Sequence, residues 1–144
     1  TMYSEMAAVH RERFAAHRDR YGWKLACLLD AGAAVSAADY LRAQQVRRVA
    51  AREISKLLAQ VDCLLTPTTP APAPQGLNAT GDWRYNLPFS SSGHPALSVP
   101  VALSSAGLPI GVQLVAARGA EDKLFHCGQL VERAVPFRHQ APCH

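Results

Sequence analysis

No apolar run in this sequence approaches the ~18 residues that a helix needs to cross a bilayer, and nothing in it resembles a secretory signal. A membrane role is set aside on that ground, and the cytoplasm is the expected location. Aromatic residues are scarce, at 7%, and do not interleave with the basic ones as a nucleic-acid surface would require. The formal charge of +4 comes from residues 1–60, with ten Lys/Arg against six Asp/Glu; the remainder is balanced. The excess includes Arg42, Arg47, Arg48, Arg52 and Lys56, and reads as solvated helix faces. Direct contact with nucleic acid is not expected.

Metal and redox signatures are missing too. The four cysteines, Cys27, Cys63, Cys127 and Cys143, form no C-x-x-C pair, and no H-x-x-x-H pair occurs. His126-Cys127 and Cys143-His144 are adjacent pairs, whose side chains point apart on a helix or strand, which suits chelation poorly. No metal and no cofactor is expected. Cys27, Cys63 and Cys127 stand in apolar surroundings, where a free thiol behaves as a small buried hydrophobe, and a reducing compartment fits all four.

What is present is an α/β pattern in a chain of one-domain length, 144 residues. Residues 1–61 read as helical. Met6, Val9 or His10, Phe14 and His17 recur at helical spacing over 3–20, with Ser4 as N-cap, and a second helix from Trp23 stops at Gly32. A long helix follows over about 36–61. Ser36 and Asp39 form a capping-box-like start, and Leu41, Val46, Ala50, Ile54, Leu57 and Val61 mark its apolar face. Residues 62–119 hold strands and a Pro-rich loop. Asp62 to Thr66 is a brief strand ended by TPTTPAPAP, whose prolines favour extended backbone in an ordered surface loop. Ala96–Leu103 and Pro109–Ala117 alternate in strand fashion around Ser104-Ser105-Ala106-Gly107, a hairpin break. Small residues on their second face suggest central strands covered on both sides. Residues 120–135 form a last helix with Leu124, Leu130 and Val131 inward.

Ser90-Ser91-Ser92-Gly93-His94 has the residue types of a nucleophile loop with a base beside it. Sequence adjacency does not itself supply a base in reach or an oxyanion hole, so local hydrogen bonding of the hydroxyls is the preferred reading. His10, His17, His126 and His139 read as partly exposed surface residues.

Three segments together, DCLLTPTTPAPAP, LPFSSSGHPALSVPVAL and GLPIGVQLVA followed by a helix, resemble the C-terminal part of the amidase signature family. SAADYLRAQQVRR resembles the long helix that precedes them there, so the likeness runs from about Tyr3 to Pro142. It implies a large central mixed sheet covered by helices, of which residues 1–144 would be one C-terminal segment. It also implies hydrolysis of carbon–nitrogen bonds in small amides. The family's nucleophile is a serine activated through a second serine by a lysine, with a Gly/Ser-rich loop as oxyanion donor. This chain has no Gly-Gly-Ser-Ser stretch, its Lys24, Lys56 and Lys123 sit in helical contexts, and Ser90 stands where the family usually has asparagine. No catalytic residue is therefore expected in the chain. Its expected role is structural and pocket-lining, inactive alone, as a truncated, cleaved or split product, to which the start at Thr1 inclines.

By the same resemblance the segment before the Gly-x-Pro turn approaches the substrate, which points to Trp83, Tyr85 and Asn86. Trp83 in place of a small polar or acidic residue suggests an apolar or aromatic amide. The alternative is that Trp83 and Tyr85 cap the core. Expected partners are a small-molecule amide and whatever completes the sheet: the missing N-terminal portion, another chain, or a second copy. Two other readings stay open: a fragment of an A-type amidotransferase component for tRNA-dependent amidation, and a non-catalytic scaffold remnant.

Overall fold

The computed structural model describes residues 1–139, so the Cys143-His144 pair lies outside the described residues. The elements are α1 (Met2–Ala16), a 3-10 turn (Arg18–Arg20), α2 (Trp23–Ala33), α3 (Ala37–Leu58), β1 (Leu64–Pro67), α4 (Leu87–Ser92), β2 (Ala96–Leu103), β3 (Pro109–Val115) and α5 (Glu121–Ala134). They form two compact units, Thr1–Arg48 and Val49 onward, with α3 contributing to each. None of the described helices is long and apolar enough to cross a membrane.

In the first unit α2 packs on α1 through a glycine. A Cβ on Gly32 would stand 2.1 Å from the Tyr3 carbonyl oxygen, so Gly32 is a contact residue inside α2 and not its stop. Ser4 likewise lies within α1 instead of capping it; its hydroxyl oxygen is buried without a hydrogen-bond partner. Val9, offered with His10 as an inward position, is 82% exposed, and the choice falls on His10, whose Nδ1 is 3.0 Å from the Tyr21 hydroxyl. Phe14 meets Tyr21 edge-on at 5.1 Å. These contacts fold the 3-10 turn back on α1 and end the helix short of residue 20.

The start of α3 is capped as its sequence indicates. The Asp39 N–H donates to Ser36 Oγ at 3.1 Å, and the Ser36 hydroxyl donates to Asp39 Oδ2 at 2.7 Å. The inward face differs from the expected one. Ala51 and Leu58 are buried and Tyr40, Gln44, Arg47 and Ile54 half-buried, whereas Leu41, Val46, Ala50, Leu57 and Val61 are exposed. Periodicity locates an apolar stripe but does not say which neighbour covers it, and in the described residues the smaller, mixed face packs inward.

The second unit is built on an antiparallel sheet in the order β1-β3-β2. Leu64 pairs with Val115, Leu97 with Leu114 and Ser98 with Gln113. The hairpin turn closes through Gly107 N–H to the Ser104 carbonyl at 2.9 Å, with Gly107 at φ +75°. β3 is central, as expected, but β2 is an edge strand among the described residues. Pro100 has no N–H to donate outward, and the register shifts between Pro100 and Ala102, leaving Val101 as a bulge.

One face of the sheet carries the core. Val99, Leu114 and Ala116 bury against Leu124 of α5, with Leu97, Val112, Cys127 and Val131 around them. Gly128 lets α5 come close: a Cβ there would be 2.5 Å from Leu97 Cδ2. Leu130 is not inward as expected but 49% exposed, one step off the 124–127–128–131 stripe.

Candidate functional site

The opposite face of the sheet is small and polar, and the Pro-rich loop arches over its open end. Between them lies a cleft of about 490 Å³ lined by Thr68, Thr69, Pro72, Asp82, Ser98 and Gly111, among others. Its floor is pinned by a hydroxyl pair, Thr68 Oγ1 to Ser98 Oγ at 2.9 Å. The Thr68 N–H donates to the Gly111 carbonyl at 3.2 Å, which carries the β1–β3 ladder into the loop. A Cβ on Gly111 would fall 2.9 Å from Ser98 Oγ and 3.0 Å from Thr68 Oγ1, so glycine keeps the hydroxyl pair in place.

Asp82 brings a negative charge to the cleft. Its carboxylate accepts from the Arg84 N–H at 2.8 Å and from Arg84 Nε at 2.7 Å. The Arg84 side chain first, then its backbone N–H, holds the Asp82 carboxyl below its usual range. This Asx-type turn leads into the turn that carries the three residues singled out in the sequence. The N–H groups of Asn86 and Leu87 both donate to the Trp83 carbonyl at 2.9 Å. Gln113, buried on β3, donates through Nε2 to the Tyr85 carbonyl at 3.1 Å and to Thr66 Oγ1 at 3.0 Å. Trp83 is 47% exposed; Tyr85 and Asn86 are half-buried. The three stand together on one anchored turn, next to the cleft whose lining includes their neighbour Asp82.

The serine run folds into α4 and its C-cap. Gly93 at φ +74° ends the helix in the left-handed conformation, and its N–H donates to the Phe89 carbonyl at 2.9 Å. His94 is 4% exposed. Its Nδ1 is 2.8 Å from Ser92 Oγ and its Nε2 is 3.1 Å from Ser55 Oγ. The Ser55 hydroxyl donates to the Ala51 carbonyl at 2.8 Å, and the Ser92 hydroxyl reaches the Phe89 carbonyl only at 3.2 Å. The shorter Ser55 bond favours the tautomer in which Nε2 carries the proton toward Ser55 and Nδ1 accepts from Ser92. Burial, and then the charge of Arg118, push His94 below its ordinary pKa. Arg118 donates to the Ser92 carbonyl.

Ser92 therefore does have a histidine in reach, which the sequence spacing alone did not establish. Yet Ser92 is 2% exposed, and no carboxylate is among the hydrogen-bond partners of His94. The array is a neutral, closed brace that fixes the loop feeding β2. Ser55, Arg118 and Gln113 hold the site and were not found by sequence reasoning. Ser55 and Arg118 sit in helical and loop contexts with no motif, and Gln113 was only one member of the small face.

The Amidase family model matches residues 5–125. The A-type component of the glutamyl-tRNA(Gln) amidotransferase of Rhodospirillum rubrum is 44% identical over 106 residues, covering 68% of this chain and 21% of that protein. Among solved structures, an amidase superposes at TM-score 0.83 with 31% identity, covering 92% of this chain and 33% of that one. An s-triazine catabolic enzyme with an inhibitor bound, described with a vestigial protein complex, superposes at 0.81 with 26% identity over 96% of this chain and 33% of its own. The chain thus spans about a fifth of the length of the curated relative and a third of the solved ones.

Proposed function

The chain belongs to the amidase family, and from that membership we propose that it is a C-terminal segment of an enzyme hydrolysing carbon–nitrogen bonds in small amides. The observation that supports this most is the superposition of 92% of the chain on 33% of a solved amidase. In this reading the chain supplies sheet strands, the long helix and one wall of the substrate pocket. Trp83, Tyr85 and Asn86 are not in the lining of the cleft beneath the Pro-rich loop, which takes in only their neighbour Asp82; in this reading they line that wall once the rest of the enzyme is in place. The nucleophile, its base and the oxyanion donors come from the rest of the enzyme, because the Ser92–His94 pair is buried and committed to bracing.

The exposed aliphatic residues Leu41, Val46, Val49 and Leu57 of α3 are the surface that the rest of the polypeptide, or a second copy, covers. The reading is tested by assaying a panel of aryl and alkyl amides with the 144-residue chain and with the longest open reading frame that contains it. Turnover is expected only from the longer product. Serine-dependent turnover by the chain alone would overturn it.

A second reading is favoured by the identity to the R. rubrum amidotransferase component: the enzyme is the A-type part of an amidotransferase for tRNA-dependent amidation. The same panel separates the two when glutamine is added. Preference for glutamine over aryl amides supports the second reading.

A further inference from the structure

We propose that Cys63 and Cys127 form a reversible disulfide that staples the start of the sheet to α5. The two cysteines come from different elements: Cys63 immediately precedes β1, and Cys127 lies in the middle of α5. Both are half-buried against the same core of Val99, Leu114, Ala116 and Leu124. After burial, Cys127 is the neighbouring group that acts most on the Cys63 thiol. A separate contact holds the two backbone segments in this register. Lys123 Nζ, one helical turn before Cys127, is 3.0 Å from Asp62 Oδ1, the residue next to Cys63. That ion pair keeps the segment before β1 beside the helical turn that carries Cys127.

Burial, reinforced by the contact with Cys127, pushes the Cys63 thiol up to about 12. Thiol–disulfide exchange can begin at either sulfur with the same balance, here at Cys127. With glutathione disulfide as oxidant, the Cys127 sulfur bonds to one glutathione sulfur and the other leaves, taking up the Cys127 proton. The Cys63 sulfur then attacks Cys127 in the mixed disulfide, and the second glutathione leaves with the Cys63 proton. The protein gives up two electrons and two protons, and one glutathione disulfide becomes two glutathiones. The new bond closes a loop containing all three strands, which restricts the unfolded chain and raises stability.

The test equilibrates the full chain with glutathione disulfide, quenches it in acid and alkylates the remaining thiols before tryptic mapping. The expected result is that peptides 57–84 and 124–133 are joined and that two of the four cysteines take the alkylating agent. The thermal midpoint rises by several degrees and falls back on adding dithiothreitol. Alkylation at both Cys63 and Cys127 after oxidation, or a link from either to Cys27 or Cys143, would overturn the proposal. A Cys127→Ser chain with a native circular dichroism spectrum should show no midpoint shift with glutathione disulfide; the same rise in that variant would equally overturn it.

Discussion

Ser55 Oγ lies 3.1 Å from His94 Nε2 and joins α3 to the loop that enters β2. The imidazole is held at both nitrogens, and its removal would leave the Ser92 hydroxyl in a buried site with only the long contact to the Phe89 carbonyl at 3.2 Å. His94→Ala should cost about 2–4 kcal/mol in urea unfolding, and Ser55→Ala about 1 kcal/mol. The pH dependence has a defined sign. The folded state holds His94 below its ordinary value of 6.5, so the unfolded chain binds the proton more readily. Stability from this group is complete above 6.5 and is lost as pH falls through the depressed native value. A urea midpoint series from pH 7.5 to 5 should slope downward in the parent chain and flatten in His94→Gln. Parallel slopes would show that other groups govern the acid limb.

Gly32→Ala sets helix propensity against packing. Alanine favours a helix interior over glycine by about 1 kcal/mol, and on propensity alone the change would stabilise α2. The Cβ, however, would lie 2.1 Å from the Tyr3 carbonyl oxygen and 2.5 Å from its carbon, and backbone atoms cannot rotate aside. The clash should win, with a net loss of about 2–4 kcal/mol. Hydrogen exchange of the α1 amides is the local measurement, and it should accelerate. Unchanged protection would mean that α1 and α2 do not pack through this glycine.

The elements that the sequence discloses are those whose signals are local. Ser36 and Asp39 mark the start of α3 because a cap is made within one turn. Ser104 to Gly107 marks the hairpin because a two-strand turn needs a residue such as Gly107 at positive φ. What stays hidden depends on distant partners. Gly32 reads as a stop because only the Tyr3 backbone reveals it as a contact. The inward face of α3 differs from its apolar stripe because aliphatic residues occupy both sides of the helix, and Leu41, Val46, Leu57 and Val61 of the stripe are exposed. At the candidate site, Trp83, Tyr85 and Asn86 are legible as a group, but the anchor that positions them is not. Gln113 is 28 residues from Tyr85, and no pattern connects the two.

That anchor lets the proposed wall residues be separated by experiment in the longer enzyme proposed above. The turn is fixed by backbone bonds to the Trp83 carbonyl and by Gln113 on the Tyr85 carbonyl, so truncating the Trp83 side chain leaves the turn's hydrogen bonds intact. In the longer enzyme, Trp83→Ala should reduce kcat/KM for aryl amides by about 10- to 100-fold, the worth of ~1–3 kcal/mol of apolar contact, and alter small aliphatic amides much less. Asp82→Asn acts differently. It weakens the carboxylate's bonds to Arg84 Nε and the Arg84 N–H, loosening the entry to the turn, and should lower kcat/KM for all amides alike. An Asp82 variant that discriminates between aryl and alkyl substrates would place the acid, and not the indole, against the substrate. Equal kcat/KM for the parent and Trp83→Ala across the whole panel would return Trp83 to a structural role beside the core.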